Sequence, residues 1–322
     1  MDTHEIVLSM QNICKRYVGI RALDDVSIDF RKGEVHALVG ENGAGKSTLI
    51  KMISGAEVPD SGKLVFGEQT FEKMTPHLSQ SMGVATIYQE FNLFPTLTVA
   101  ENIYMGDEIV AKDSARLYHK NDYIDRAQKV LDKMNIDVKP TDYVEDMTTA
   151  KMQLVEIAKA IAKDARILIM DEPTAPLSTK ETEYLFELIE KLKSQVVTII
   201  YISHRLQEIK QICDRVTILR DGQLVATKQT SEVTEHEIAN LMVGREIENS
   251  KAAPFQGNPN DIALEVRGVT DHLLKNVSFL ARKGEIVGFS GLVGAGRTEL
   301  MEYIFGIRKV ASGELYVNGK KV

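Results

Sequence analysis

The sequence predicts an α/β fold: a mostly parallel sheet with helices on both faces, followed by the start of a second copy of the same unit. Three observations carry this. Short, near-continuous apolar runs alternate with helical patterns, which is how strands buried on both faces of a sheet read. A glycine-rich turn links the first of these runs to a helix. Residues 23–50 (LDDVSIDFRKGEVHALVGENGAGKSTLI) recur as residues 274–301 (LKNVSFLARKGEIVGFSGLVGAGRTELM) at a constant offset of 251, and 12 of the 28 positions are identical. A period this long marks a duplicated domain, not a solenoid.

The elements follow in order. Residues 34–39 form a short apolar run that ends at the glycine-rich turn, and 47–54 read as the helix after it. Strands are expected at 83–88, 165–170 and 196–203, the last (VVTIIYIS) rich in β-branched residues. Residues 99–163 read as mostly helical, with Leu154, Ile157, Ala158 and Ile161 on one apolar face. Residues 249–261, with two prolines, a glycine and three asparagines, read as a linker. Ser61-Gly62 recurs as Ser312-Gly313 at the same offset, so the register of the repeat persists. The expected organisation is a first domain at 1–248, the linker, and an N-terminal fragment of a second domain at 262–322.

Composition narrows the function. Of 322 residues, 43% are hydrophobic and 26% charged, ordinary globular proportions that exclude disordered and fibrous classes. A net charge of −7 with no long basic run argues against a nucleic-acid partner, because neutralising phosphates needs a clustered positive face. Cys14 and Cys213 are the two cysteines, far apart, which predicts neither a disulfide framework nor a zinc site. The N-terminus lacks the basic and apolar regions of a signal peptide, and no apolar run approaches the roughly 18 residues of a membrane span. A cytosolic protein is expected.

Gly40-Glu41-Asn42-Gly43-Ala44-Gly45-Lys46-Ser47 fits G-x-x-x-x-G-K-[ST] between a strand and a helix, the context in which that motif cradles phosphates. Gly43 and Gly45 let backbone N–H groups turn toward one anion, and the helix N-terminus adds a positive dipole end. Lys46 can reach the β- and γ-phosphates and the Ser47 hydroxyl can ligate Mg²⁺. Downstream, Ile167-Leu168-Ile169-Met170 deliver Asp171 and Glu172 to the carboxyl end of a strand, where open α/β sheets bind ligands. Asp171 is suited to hold Mg²⁺ and Glu172 to act as general base on water. Gln89, after GVATIY, can sense the metal or the attacking water. His204, after VVTIIYIS, can hydrogen-bond the γ-phosphate, and the Tyr17 ring can stack on adenine. A plain glycine turn or an acidic turn would explain either string alone; together they favour nucleotide chemistry.

In order and spacing, Tyr17, the loop 40–48, Gln89, Asp171-Glu172 and His204 resemble the nucleotide-binding domain of ATP-binding-cassette transporters. The resemblance covers essentially the whole chain through HALVGENGAGKSTL, VEIAKAI, IMDEPT, YISHRLQEI, CDRVTILRDGQ, LMVGRE and GLVGAGRTEL. It is closest to the duplicated ATPase subunits of bacterial monosaccharide importers, the ribose, galactose and xylose class. It implies a P-loop NTPase cassette with an antiparallel β region and a helical subdomain at about 90–163. It also implies an ATPase using ATP and Mg²⁺, with residues 40–48 through Thr48 and Tyr17 on the nucleotide, and Ser47, Gln89 and Asp171 on the metal. Glu172, His204 and Gln89 would serve catalysis. The implied partners are integral membrane permease subunits and, through them, a periplasmic or extracellular sugar-binding protein, with the chain peripheral on the cytoplasmic face. Gln89 and the helical region after it would face the permease.

Three stretches depart from the family pattern, two of them in elements that the family brings to phosphate. The signature L-S-G-G-x-Q is replaced by Met147-Thr148-Thr149-Ala150-Lys151-Met152-Gln153, where Ala150 adds a methyl in place of a glycine. The second phosphate loop, 291–298, carries Arg297 where the first has lysine, and a planar guanidinium is no geometric substitute for an ammonium. Residues 175–178 also lack the aspartate common in the loop that, in the family, crosses the dimer interface. Head-to-tail pairing would put both altered elements into one composite site, leaving one hydrolytic and one degenerate site. The second signature would lie beyond Val322. The chain is therefore expected to bind Mg·ATP but to turn over slowly without a second-cassette partner or self-association. The alternatives are a soluble twin-cassette ATPase not tied to a transporter, and a nucleotide-binding fragment with little turnover.

Overall fold

The computed structural model describes residues 5–88, 90–105, 120–245, 255–291 and 294–322, in two compact units, Met1–Ile247 and Glu248–Val322. The first unit opens with an antiparallel sheet. Strands β1 (Ile6–Tyr17) and β2 (Ile20–Arg31) form a long hairpin, and β4 (Ser61–Phe66) and β5 (Gln69–Phe71) extend it in the order β2-β1-β4-β5.

A second, six-stranded sheet carries the site. Strand β3 (Val35–Val39) sits between β8 (Thr198–Ile202) and β9 (Arg215–Arg220), and β7 (Ile167–Asp171) and β6 (Val84–Ile87) complete the parallel set. Strand β10 (Gln223–Gln229) closes one edge antiparallel to β9. The apolar runs expected near 34–39, 83–88, 165–170 and 196–203 coincide with β3, β6, β7 and β8, shortened by one or two residues at some ends.

Alternate residues of these strands feed two cores, because successive side chains of a strand point to opposite faces. Leu38, Ile167, Ile169, Ile200 and Ile202 pack toward the β1–β2 hairpin and helix α1 (Lys46–Ile53), which buries Leu49, Ile50, Met52 and Ile53, and the short α2 (Pro76–Ser81) sets Leu78 against the same core. Ala37, Val39, Leu168, Met170, Ile199 and Tyr201 pack on the opposite face. The helices there include α3 (Val99–Tyr104), α4 (Lys120–Met134), α5 (Thr149–Ala162), α6 (Thr179–Ser194), α7 (Leu206–Ile212) and α8 (Glu235–Val243). Both faces of β3, β7 and β8 are thus covered, which explains why those strands read as unbroken apolar runs.

The stretch expected to be helical from 99 to 163 is interrupted at 135–148. There the chain leaves α4 through a left-handed Asn135, buries Ile136 and Val138 in an irregular segment, turns, bridges back through Thr98 and Tyr143, and makes a short 3-10 turn at Val144–Asp146. The second unit holds a four-stranded antiparallel sheet of β11 (Ile262–Thr270), β12 (Val277–Arg282), β13 (Ser312–Val317) and β14 (Lys320–Lys321), with helix α9 (Arg297–Phe305). Its small core is Val266, Val269, Leu274, Leu300 and Leu315.

Candidate nucleotide-binding site

Because β3, β7 and β8 run parallel, their carboxyl ends lie along one edge of the sheet, and the chain leaves each through a loop with chemical character. The loop after β3 becomes α1, whose N-cap Gly45 sits at φ 105°. A Cβ at Gly45 would lie 2.6 Å from the Ala22 carbonyl oxygen, so glycine here serves packing against β2. Gly43 differs. Its φ is 86° and a Cβ would meet nothing within 4 Å, so its freedom serves backbone conformation and an open mouth, not a crowded one.

Lys46, Ser47, Thr48, Asn42 and Gly43 line a single cleft with Asp171, Glu172 and Tyr17. The Lys46 ammonium donates to the carbonyls of Gly40 at 2.8 Å and Glu41 at 3.0 Å. Burial holds it below the usual lysine range, against the pull of Asp171 and Glu172. Burial raises the Asp171 carboxyl, Glu172 raises it further, and Lys46 opposes both.

Glu172 adopts a left-handed backbone, φ 49°, unusual for this residue type and costing on the order of 1 kcal/mol or more. Its N–H donates to the Ile202 carbonyl at 2.9 Å, tying the end of β7 to the end of β8. The loop after β8 returns the gesture. His204 Nδ1 lies 3.0 Å from Glu172 Oε1, with the imidazole 65% exposed and the carboxylate 27%. Strain, tether and imidazole together aim one carboxylate at the cleft.

The other wall comes from the β1–β2 hairpin. Tyr17 is 43% exposed, and its hydroxyl donates to Glu57 Oε2 at 3.0 Å. Lys15 pairs with Glu57 Oε1 at 2.7 Å and sits 5.4 Å from the Tyr17 ring centroid. Ile20 and Ala22 of β2 also line the cleft; no sequence motif marks them, because hairpin register alone brings them there.

Thus Tyr17, the phosphate loop, Asp171 and Glu172 share one cleft and His204 contacts Glu172, while Gln89 lies outside the described residues. Thr148 is the N-cap of α5, its side chain accepting from the Lys151 N–H at 3.4 Å, and Ala150 lies in the first turn. Ser178, in the other departing stretch, caps α6 in a reciprocal box with Glu181. In the second unit, Gly294 and Gly296 keep left-handed backbones and α9 follows, while Arg297 is exposed.

The donor set suits Mg²⁺. Among the described residues no three His, Cys, Asp or Glu side chains gather into a cage. Ser47 and Asp171 instead offer hard oxygens on one cleft, and Mg²⁺ characteristically takes one or two protein ligands beside waters and phosphates.

Residues 23–175 match the family model described as ABC transporter. The chain is 41% identical over 320 residues to a ribose/galactose/methyl galactoside import ATP-binding protein of Geobacillus kaustophilus, covering 99% of this chain and 63% of that one. It is 45% identical to the ribose import ATP-binding protein RbsA 3 of Rubrobacter xylanophilus, covering 98% and 63%. The chain thus spans less than two thirds of the length of these relatives. Among solved structures, the ADP conformation of MJ1267, an ATP-binding cassette of an ABC transporter, superposes with a TM-score of 0.64 at 28% identity, over 74% of this chain and 95% of that one. A nucleotide-free cassette from an ABC transporter gives 0.64 at 26% identity with the same coverage. Met1–Ile247 thus has the α/β fold of the ATP-binding cassettes of ABC transporters, and residues 23–175 match that family's model.

Proposed function

We propose that the chain is the ATP-binding, ATP-hydrolysing part of an ABC importer for a monosaccharide of the ribose or galactose class. The relatives are named as import ATP-binding proteins for those sugars. No helix among the described residues is long and apolar enough to cross a membrane. The proposal assigns transport to separate permease subunits, reached from outside by a sugar-binding protein, with this chain on their cytoplasmic face.

The observation that carries hydrolysis is the Glu172–His204 pair at the mouth of the phosphate loop, with Lys46 and Asp171 in the same cleft. In this reading the Tyr17 ring stacks on adenine, and the N–H groups of 43–48 with the Lys46 ammonium hold the β- and γ-phosphates. Mg²⁺, held by Ser47 and Asp171, would neutralise charge on the phosphate oxygens. Glu172 takes a proton from the attacking water at its free carboxylate oxygen. His204 keeps that carboxylate oriented through its other oxygen. Gln89 retains its proposed place beside the metal and the water.

Turnover of Mg·ATP by the purified full chain tests this. Glu172→Gln should bind nucleotide normally and lose at least about 100-fold in turnover, the scale of general-base removal. Lys46→Ala should weaken binding itself. A Glu172→Gln protein that hydrolyses ATP at the wild-type rate overturns the assignment.

A further inference from the structure

Glu208 lies in α7, outside the cleft, with only 8% of its side chain exposed. A buried carboxylate requires compensation, and this one receives it from three buried hydroxyls. Thr174 Oγ1 donates across both carboxylate oxygens, 2.8 and 2.9 Å away. The Tyr201 hydroxyl donates to Oε2 at 2.8 Å and the Ser203 hydroxyl to the same oxygen at 2.9 Å. Arg205 adds a guanidinium at 3.2 Å from Oε1, and its backbone N–H donates to Ser203 Oγ at 3.0 Å.

The chain positions of these donors give the cluster its meaning. Thr174 is two residues past Glu172, in the loop that leaves β7. Ser203 is the residue before His204, in the loop that leaves β8. Tyr201 anchors the end of β8 itself, and burial together with Glu208 pushes its phenol upward, so it remains a donor. One carboxylate therefore fastens both loops whose side chains meet in the Glu172–His204 contact. A carboxylate has only acceptor sites, so it can gather several hydroxyls at one point, which an amide of the same shape cannot do without facing a donor with a donor.

We propose that Glu208 is a positioning residue, clamping the loop of Glu172 to the loop of His204 and so setting the geometry of the hydrolytic pair. The inference rests on the reading of Glu172 and His204 as that pair. It goes beyond it in assigning the coupling of the two loops to one buried side chain.

The test uses the full chain with Glu208→Gln, and with Thr174→Val and Ser203→Ala as milder variants that keep the carboxylate. Hydrogen exchange reads the clamp without any turnover. In Glu208→Gln the amides of 172–177 and of 204–206 should both exchange at least about 10-fold faster, with the central strands unchanged. Turnover should fall about 10- to 100-fold in Glu208→Gln and about 3- to 10-fold in each milder variant, with the ATP dissociation constant within about 3-fold of wild type. In a His204→Ala background, Glu208→Gln should cost less than about 2-fold more, because the geometry it sets is already lost. Exchange that is unchanged, or faster in one loop only, overturns the clamp. So does a loss of turnover fully additive with His204→Ala, or one matched by an equal loss of binding. If Glu172→Gln leaves turnover untouched while exchange responds as stated, the clamp stands and the hydrolytic reading fails.

Discussion

Residues 33–40 and 284–291 descend from the same repeated stretch, GEVHALVG against GEIVGFSG, and they end in opposite environments. In the first unit Val35, Ala37, Leu38 and Val39 are fully buried, in a strand flanked on both sides, His36 pairing with Ile200 and with Arg215. In the second, 285–291 form no strand, Ile286 is 95% exposed and Phe289 40%. Three local features around this stretch are kept. Asp25 and Asn276 share a left-handed backbone at φ 54° and 51°. Arg31 N–H bonds the Glu34 side chain as Arg282 N–H bonds Glu285. Gly45 and Gly296 both cap the following helix. The difference teaches where the information lies. Turns, hairpins and the loop-to-helix junction are closed by neighbours within a few tens of residues. The central parallel strand takes its hydrogen bonds from partners more than 160 residues later, and no such strands flank 285–291 among the described residues.

Hydrogen exchange should show the largest contrast. Amides of Val35–Val39 should be protected at least about 1,000-fold over those of 286–290, which should exchange at close to the unstructured rate. Equal protection in the two stretches would mean that the second finds strand partners in solution, and the contrast drawn above would dissolve.

A smaller effect follows from side-chain truncation at equivalent positions. Leu38→Ala opens a cavity in a core packed on all sides and should destabilise the first unit by about 2–5 kcal/mol. Phe289→Ala removes an edge-to-face contact with Phe279, centroids 4.8 Å apart, from an exposed ring, and should cost about 1 kcal/mol or less. Denaturation followed separately for each unit checks both, since one midpoint does not describe two units. A Phe289→Ala cost as large as that of Leu38→Ala would show that the second stretch is packed after all.

The same division explains what could be read from the sequence. The phosphate loop, Asp171 and Glu172 were legible because each is a short string at the end of an apolar run. The order of strands was not, and neither were β9 and β10, whose partners are set by topology. Thr148 and Ser178, which lie in stretches that depart from the family pattern, cap α5 and α6, a local role any threonine or serine before a helix can fill. Glu208 and three of its donors stand within the quoted string YISHRLQEI, but their convergence with Thr174, 34 residues earlier, depends on β7 and β8 lying side by side, which no local string shows. Ile136 and Val138 alternate as an extended segment does and Pro140 bars a helix interior, so the break at 135–148 is marked in the sequence; the reading of 99–163 as mostly helical rests on the periodic stretch at its end.

The hairpin tests the limit of the comparison between the two copies. In the first unit β1 and β2 pair as far as Tyr17 and Ile20, beyond the Ile13–Val26 pair. In the second, β11 and β12 stop at Val269 paired with Val277, with only seven residues between them, so no side chain stands where Tyr17 does. The extension is what reaches the nucleotide cleft, and its tip is held by the Tyr17–Glu57 hydrogen bond and the Lys15–Glu57 ion pair. Glu57 is an outer support only. Tyr17→Ala should therefore weaken ATP binding about 10-fold, the upper scale of losing one base–aromatic stack being larger still. Tyr17→Phe, which removes the hydrogen bond to Glu57, should weaken it about 2- to 3-fold, and Glu57→Gln, which keeps an acceptor for the Tyr17 hydroxyl but loses the charge paired with Lys15, about 2-fold. Inorganic tripolyphosphate, which has no base to stack, should bind all four proteins equally. If Tyr17→Ala weakens ATP and tripolyphosphate alike, the ring acts on the phosphate loop and the extension is not a base platform. If it weakens ATP alone while Glu57→Gln has no effect, the platform is real and the hairpin is stiff enough to hold it unaided.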